Sequence, residues 1–450
     1  MKTFEQFGIK IPKILLPKKL DTETWATVAC DQYTQDREYW KKAEECAKSK
    51  PSTLNLILPE VYLNDKDKNE KILKIRKNMQ TYLDEGIFEP EKEEFIYIER
   101  TTSHGRTRKG LIVAIDLEKY EWKPFSTALI RATEATIVER IPPRMEIRDG
   151  APLELPHIML LVNDPEKLLV EETGILARKR NEQLYSGNLM LGGGSIKGWA
   201  VSTQEEMNRI EKSLEKLSAQ NTCSDGSVFL FAVGDGNHSL ATAKSVWEKY
   251  KNEHPEVKND VENPVRYALV EIVNIYDEGL TFEPIHRVLF NIDSKELIKD
   301  LCTKLEGTTE EINTQKELEE SVKNSSSNFG FTFMENGKQS FVLLKTDINE
   351  LAVSRLQPAL DVFLKTAPKS HICDEKGCRT VKAEIDYIHG SDEIFRLGKQ
   401  ENTTGILLPP VAKDSFFATI SARGPLPRKS FSMGEADEKR FYLECRKLFS

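Results

Sequence analysis

Short apolar runs alternate with amphipathic stretches along the chain, and each of them predicts one element of structure. Residues 71–85 carry apolar side chains at helical spacing and are followed by Gly86, which predicts an amphipathic helix. Residues 95–99 and 111–116 predict two strands, and the polar residues 103–109 predict the hairpin connection between them.

The clearest predicted strand covers residues 228–233, which are all apolar. It leads through Gly234-Asp235-Gly236 into a predicted helix over residues 239–250, and residues 267–273 predict a further strand. Because strands and helices alternate without the regular spacing of repeated βαβ units, we predict an α+β fold with a mixed sheet.

The pattern changes toward the C-terminus, where we predict two helices, one hairpin and a final helix. The helices cover residues 295–305 and 316–323. A Glu-Asn-Gly turn predicts that residues 329–333 and 341–345 pair as the hairpin. Residues 435–449 predict the C-terminal helix. We therefore expect a main α+β domain with the ligand site in residues 1–290 and a smaller α+β region in residues 291–450.

Composition narrows the classes of function. The chain has 450 residues, with 64 Lys+Arg against 72 Asp+Glu, so its formal charge is −8, which argues against a nucleic-acid partner. It contains no apolar run near the ~20 residues of a membrane-spanning helix, and no apolar signal region begins it. Seven cysteines without paired CxxC spacing predict reduced thiols and a cytoplasmic protein. The pattern leaves the oligomeric state open.

The strongest candidate for chemistry is the turn between the predicted strand and helix, Gly234-Asp235-Gly236-Asn237-His238-Ser239. The N-terminus of a helix favours an anion, and glycines let a ligand approach the backbone closely. Asp235 could hold a metal or accept a proton, His238 could contact a phosphate or act as an acid–base, and Ser239 could cap the helix or contact a phosphate oxygen. The alternative is an ordinary tight turn in which Asp235 or Asn237 caps the helix.

Three other segments carry cationic side chains that suit an anionic ligand. His286 and Arg287 follow a proline. Arg428 and Lys429 lie in a predicted loop before the C-terminal helix. The third segment holds Arg131, Glu134, Arg140, Arg144 and Arg148. In each case the alternative is a solvated surface.

The motifs together resemble the family of proteins of unknown function numbered 1015, over nearly the whole chain. The residues that carry the resemblance are Val28-Ala29-Cys30, Arg108-Lys-Gly110-Leu-Ile112, Arg131-Ala-Thr-Glu134, the Asp-Gly-x-His turn at 235–238, Pro-x-His-Arg at 284–287, Tyr387-Ile-His389 and Pro427 to Phe431. This resemblance implies no particular activity.

The turn by itself also resembles the Asp-Gly-His-His-Arg turn of the ParB/sulfiredoxin-like superfamily, which includes an archaeal free serine kinase. The resemblance implies that the turn and the following helix bind the phosphates of a nucleotide. Here Asn237 stands where a histidine is usual, and Ser239 stands where the arginine is usual. Either Arg287 or an arginine of residues 131–148 replaces that missing cation, or phosphate binding has weakened or been lost.

We predict a nucleotide-dependent phosphotransferase that acts on a small molecule such as an amino acid, with Mg²⁺ and ATP or ADP as cofactors. Backbone N–H groups of residues 236–239 would hold phosphate, and Asp235 would bind Mg²⁺ or the acceptor hydroxyl. His238 and Arg287 would neutralise developing charge, and Glu134 would be the base. Two alternatives stay open: a sensor that binds a nucleotide or metabolite without turnover, and a hydrolase or lyase that uses His238 or His286.

Overall fold

The computed structural model describes residues 4–48, 50–155, 158–180, 182–366, 370–374 and 377–449, with the backbone alone between 370 and 380. In these residues, no helix combines the length and the apolar character that crossing a bilayer requires. The chain divides into two compact units, one formed by Met1–Leu280 with Met433–Ser450 and the other by Thr281–Ser432. The sequence predicted a single boundary near residue 290. In the structure, residues 433–450 belong to the first unit.

The first unit is built on a ten-stranded mixed sheet. The edge strand Ile9–Lys10 pairs with Thr107–Asp116 beside the main path. Along that path the strands run in the order Gln183–Asn188, Ser195–Val201, Phe95–Thr101, Thr107–Asp116, Tyr267–Asn274, Met159–Val162, Phe231–Asp235, Ile130–Ala132 and Tyr120–Glu121. The mixture of antiparallel and parallel pairs, together with the interleaved helices, confirms the predicted α+β class.

On the neighbouring strands Phe95–Thr101, Thr107–Asp116 and Tyr267–Asn274, apolar side chains alternate between two clusters, so both faces of the sheet are covered there. On the strand Thr107–Asp116, for example, Leu111 and Val113 belong to one cluster and Ile112 to the other. The helices of the unit are Thr22–Trp25, Arg37–Ala47, Lys68–Asp84, Ile141–Arg148, Val170–Arg180, Gln204–Gln220 and Asn237–Glu253.

The predicted strand–turn–helix unit is confirmed, although its strand begins later than the apolar run. The strand Phe231–Asp235 pairs antiparallel with Met159–Val162 and parallel with Ile130–Ala132. Helix Asn237–Glu253 begins one residue beyond Gly236 and buries an apolar stripe that ends at Trp247. The turn, residues 234–239, is therefore held by a strand of the sheet before it and by a helix packed on the core after it.

The predicted C-terminal helix is wrong. Residues 433–449, here called the C-terminal segment, form one short 3₁₀ turn and two extended pieces. Phe441–Tyr442 pairs with Thr27–Val28, and Arg446–Lys447 pairs with Leu153–Glu154. Strand pairing with these partners, which are distant in sequence, overrides the local helical pattern.

The second unit contains a six-stranded antiparallel sheet. Its strands run in the order Thr308–Ile312, Lys338–Lys345, Phe329–Glu335, Thr403–Leu407, His286–Phe290 and Glu384–Ile388. The predicted hairpin is confirmed, since Phe329–Glu335 pairs antiparallel with Lys338–Lys345. The helices of this unit are Ser294–Lys304, Gln315–Lys323, Ala352–Thr366, Ser391–Leu397 and Lys413–Arg423.

Smaller strand pairs complete both units. In the first unit, Lys13–Ile14 pairs with Lys92–Glu93. In the second unit, Glu283–Pro284 pairs with Phe431–Ser432. The backbone strands Ser370–Asp374 and Gly377–Val381 form a further antiparallel pair there.

Candidate functional site

The turn has the backbone geometry that its glycines allow. Gly236 caps the helix with φ 85° and ψ 28°, in the left-handed region that residues with a side chain rarely adopt. A Cβ atom at this position would lie 3.1 Å from Cγ1 of Ile158. At Gly234 a Cβ would lie 2.8 Å from Cγ of Leu161, so packing favours glycine at position 234, and the left-handed backbone favours glycine at position 236.

Asn237 and His238 hold the loop that follows strand Ile130–Ala132. Oδ1 of Asn237 accepts a hydrogen bond from the backbone N–H of Thr133 at 3.2 Å. Nε2 of His238 accepts one from the backbone N–H of Ile137 at 3.2 Å, so this nitrogen carries no proton in that contact. Glu134 is half-buried between these two anchors. The structure thus gives two predicted ligand residues a positioning contact with the loop that carries the predicted base.

Within the turn, Asp235 contacts the C-terminal segment. Its Oδ1 accepts a hydrogen bond from the N–H of Gly236 at 3.0 Å, and its Oδ2 lies 3.5 Å from Nζ of Lys439. The sequence did not identify Lys439 as a site residue, because this lysine lies 204 positions after Asp235 in the chain. The predicted helix over residues 435–449 also gave no reason to bring it to the turn.

A cavity of about 140 Å³ lies against the first turns of helix Asn237–Glu253. Ser239 and Thr242 line one wall, and most of the other side chains that line it are apolar. Arg144 and Arg148 also line it, from helix Ile141–Arg148. Two members of the predicted arginine cluster therefore reach the same cavity as a residue of the turn.

Both of these arginines form ion pairs at the cavity wall. Arg144 pairs with Glu60, and both side chains keep a small exposed fraction. An NH1 atom of Arg148 lies 2.6 Å from Oε1 of Glu154, and the arginines at 148 and 446 lower the pKa of Glu154 despite its burial. The cavity wall thus offers fixed charges of both signs.

Arg131 points elsewhere. Its Nε donates to the carbonyl of Ala128 at 2.8 Å, and one terminal nitrogen donates to Oγ of Ser227 at 2.8 Å. The guanidinium lies 4.6 Å from the ring centroid of Phe229. These partners precede strand Phe231–Asp235, whereas the turn follows it, so the structure does not bring Arg131 to the turn.

His286 and Arg287 belong to the second unit and are engaged in its interior. Nδ1 of His286 accepts a hydrogen bond from the N–H of Leu408 at 3.1 Å. Arg287 is fully buried, and its Nε donates to Oε1 of Gln357 at 2.8 Å. Its guanidinium also lies over the ring of Tyr387. These contacts give both residues a structural role within the unit.

Arg428 and Lys429 are exposed in the loop before strand Phe431–Ser432 of the second unit. Lys429 adopts φ 59°. The structure gives this pair the solvated surface position that was the alternative reading of the sequence.

The buried His286 predicts a pH dependence of stability. Burial, with the charges of Arg287 and His389, lowers the pKa of His286 from 6.5 to about 4. The unfolded chain therefore takes up a proton that the folded chain does not, and the contribution is complete above pH 6.5 and lost as the pH falls toward 4. We expect the wild type to lose about 2 kcal/mol more unfolding free energy than His286→Asn between pH 7 and pH 5. Urea unfolding at the two pH values checks this, and equal losses would contradict it.

The chemistry of the turn fits a metal that arrives with a phosphate ligand better than a metal held by protein alone. In the described residues, no group of three His, Cys, Asp or Glu side chains is placed to hold a metal ion. Asp235 offers a single carboxylate, and Mg²⁺ is commonly bound through one or two carboxylates together with phosphate oxygens and water.

Comparison with known proteins gives a family and several distant structural neighbours. A family model described as "Protein of unknown function (DUF1015)" matches residues 13–363. No curated protein matches the chain.

Three solved structures illustrate the neighbours. A conserved hypothetical protein from Pyrococcus furiosus has 11% identity and a TM-score of 0.33, covering 75% of this chain and 94% of that one. A mutant of free serine kinase in complex with AMP has 12% identity and a TM-score of 0.37, with coverage of 75% and 92%. SbnI with a C-terminal truncation, from Staphylococcus aureus, has 8% identity and a TM-score of 0.33, with coverage of 72% and 83%.

Proposed function

The chain belongs to the DUF1015 family, whose description states no activity, and we propose from its site that it binds the phosphates of a nucleotide at residues 234–239 and transfers a phosphoryl group to a small-molecule acceptor. The family membership agrees with the resemblance carried by the sequence motifs. The activity itself is inferred from the chemistry of the turn and the adjoining cavity.

The observation that carries the proposal is the conformation of the turn. A buried strand ends at Asp235, Gly236 takes a left-handed conformation, and a 17-residue helix begins at the next residue. The start of such a helix presents backbone N–H groups and the positive end of its dipole, which favour a bound phosphate. The crowding around Gly234 and Gly236 keeps the backbone in this conformation.

The cavity beside the turn supports a second ligand group next to the phosphates. It is lined by Ser239 and Thr242 and bounded by the Arg144–Glu60 pair. A small acceptor seated there would lie against the helix whose N-terminus holds the phosphate. Phosphoryl transfer depends chiefly on such positioning and on charge stabilisation, so few reactive side chains are required.

The roles of the acidic residues follow from their places. Asp235 would hold Mg²⁺ together with phosphate oxygens, and the ion would supply charge neutralisation at the transferred group. Glu134, on the loop held by Asn237 and His238, would accept the proton of the acceptor hydroxyl. His238 would position that loop through the Ile137 amide.

A sensor that binds a nucleotide without turnover is the second candidate. It is favoured by the contacts of Asn237 and His238, which serve structure at positions where a catalytic group would be expected. Supplying ATP, Mg²⁺ and a set of small hydroxyl compounds separates the two, because only the transferase forms ADP and a phosphorylated product.

Isothermal titration tests the proposed ligand. We expect ATP or ADP with Mg²⁺ to bind the wild type in the micromolar to millimolar range, and Asp235→Asn to weaken binding about tenfold. The matched control is Asp260→Asn, because Asp260 is an exposed carboxylate that caps a local turn. The proposal fails when the wild type binds none of ATP, ADP and CTP up to millimolar concentration.

A further inference from the structure

We propose that Lys439 binds the phosphate that is held at the turn, so that the C-terminal segment forms part of the ligand site. The proposal rests on the proposed function for the position of the anion at residues 234–239. It does not require the ligand to be a nucleotide, because a lysine ammonium recognises the charge of any diphosphate or triphosphate. The family match ends at residue 363, so this segment lies outside it.

The charge of Asp235 is the first reason. A carboxylate beside the anion site repels phosphate unless a cation lies close to both. Nζ of Lys439 lies 3.5 Å from Oδ2 of Asp235, with side chains that are 12% and 21% exposed. The chain therefore places a partly desolvated positive charge at the point where an incoming phosphate meets the carboxylate.

The contacts of Lys439 are the second reason. Across the described part of the chain, Asp235 is the one ion-pair partner of this ammonium. The distance of 3.5 Å is long for a charge-assisted hydrogen bond, which is usually 2.7–2.9 Å. Since an ammonium has three N–H donors, it retains capacity for phosphate oxygens.

The residues on each side of Lys439 make shorter ion pairs and are more deeply buried. Oε1 of Glu438 lies 2.6 Å from a terminal nitrogen of Arg106. A terminal nitrogen of Arg440 lies 2.7 Å from Oε2 of Glu444. These pairs fix the backbone around Lys439, so its position at the turn does not depend on a flexible terminus. They also show that Lys439 differs from its neighbours in making only a longer ion pair among the described residues, the 3.5 Å contact with Asp235.

Titration of ADP and inorganic pyrophosphate, each with Mg²⁺, tests the proposal with Lys439→Gln and the control Lys447→Gln. Lys447 is in the same segment but pairs with the surface residue Glu91. We expect binding of both ligands to weaken about tenfold or more in Lys439→Gln, and to stay within about twofold of wild type in Lys447→Gln. Lys439→Arg, which keeps the charge, is expected to retain most of the affinity.

Labelling of the wild type provides a measurement that does not depend on how the variants fold. Acetic anhydride modifies lysines, and peptide mass spectrometry quantifies each one. We expect pyrophosphate to protect Lys439 and to leave Lys447 unchanged.

The outcomes separate this inference from the proposed function. Nucleotide binding that is equal in wild type and Lys439→Gln, or absence of protection at Lys439, overturns the role of Lys439 and leaves the proposed function standing. Pyrophosphate binding that needs Lys439, without any nucleotide binding, supports the lysine and contradicts the nucleotide. If the wild type binds neither ADP nor pyrophosphate, the role of Lys439 and the proposed function are both overturned.

Discussion

Replacing Glu271 with alanine is expected to lower the free energy of unfolding by about 3–5 kcal/mol, because it leaves the buried Arg108 without its carboxylate partner. Glu271 is fully buried on strand Tyr267–Asn274. Its Oε1 lies 3.2 Å from Nε of Arg108, and its Oε2 lies 3.7 Å from Nε of Arg440. Both arginines are themselves almost completely buried. Removing the carboxylate therefore leaves Arg108 without an ion pair among the described residues, and leaves Arg440 with Glu444 as its remaining carboxylate partner.

Chemical denaturation of Glu271→Ala and of Glu262→Ala provides the measurement and its control. Glu262 also pairs with a cation, Lys10, but its side chain is 74% exposed. We expect the exposed pair to contribute little because water and salt screen it. Equal unfolding midpoints for the two variants would show that the buried network does not hold the C-terminal segment as its geometry indicates.

Gly236→Ala is expected to abolish binding of phosphate ligands and to destabilise the fold by about 1–3 kcal/mol. The alanine would have to adopt φ 85° and place its Cβ 3.1 Å from Ile158. The chain is expected to relieve this strain by changing the turn, which would displace the N–H groups at the start of helix Asn237–Glu253.

Gly226→Ala separates backbone strain from the function of the turn. Gly226 has φ 81°, close to that of Gly236, but a Cβ there meets no atom within 4 Å. We expect this variant to lose some stability and to bind ADP as the wild type does. Binding by Gly236→Ala at wild-type affinity, measured by calorimetry, would contradict the role given to the turn.

Local patterns predicted the parts of the fold that local interactions determine. The apolar stripe of helix Lys68–Asp84 and the Asn-Gly turn of the hairpin at 329–345 each carry their own signal. The strand and helix around Asp235 were predicted for the same reason, since an apolar run is followed directly by glycines and an amphipathic stretch. The position of the turn at the end of a buried strand was therefore accessible from the sequence.

The C-terminal segment shows why the rest was not accessible. Arg440 and Glu444 are four residues apart, a spacing typical of a helical ion pair, and they do pair at 2.7 Å. They do so in a segment whose strands pair with residues 27–28 and 153–154. Because nothing near residue 439 in the sequence indicates those partners, Lys439 could not be assigned to the turn.

The predicted cationic residues divide in the same way. Residue type alone cannot distinguish an arginine that faces a ligand from one that satisfies buried carbonyls. Arg131 and Arg287 donate hydrogen bonds to protein groups, whereas Arg144, which pairs with Glu60, lines the cavity beside Ser239. The long-range contacts that decide between these roles appear only in the folded chain.

A crystal structure of the protein grown with ADP and Mg²⁺ tests the central claim most directly. We expect the phosphate oxygens to lie within hydrogen-bonding distance of backbone N–H groups of residues 236–239 and of Nζ of Lys439. Density for ADP bound away from this turn, with Asp235 and Lys439 still paired to each other, would contradict the account.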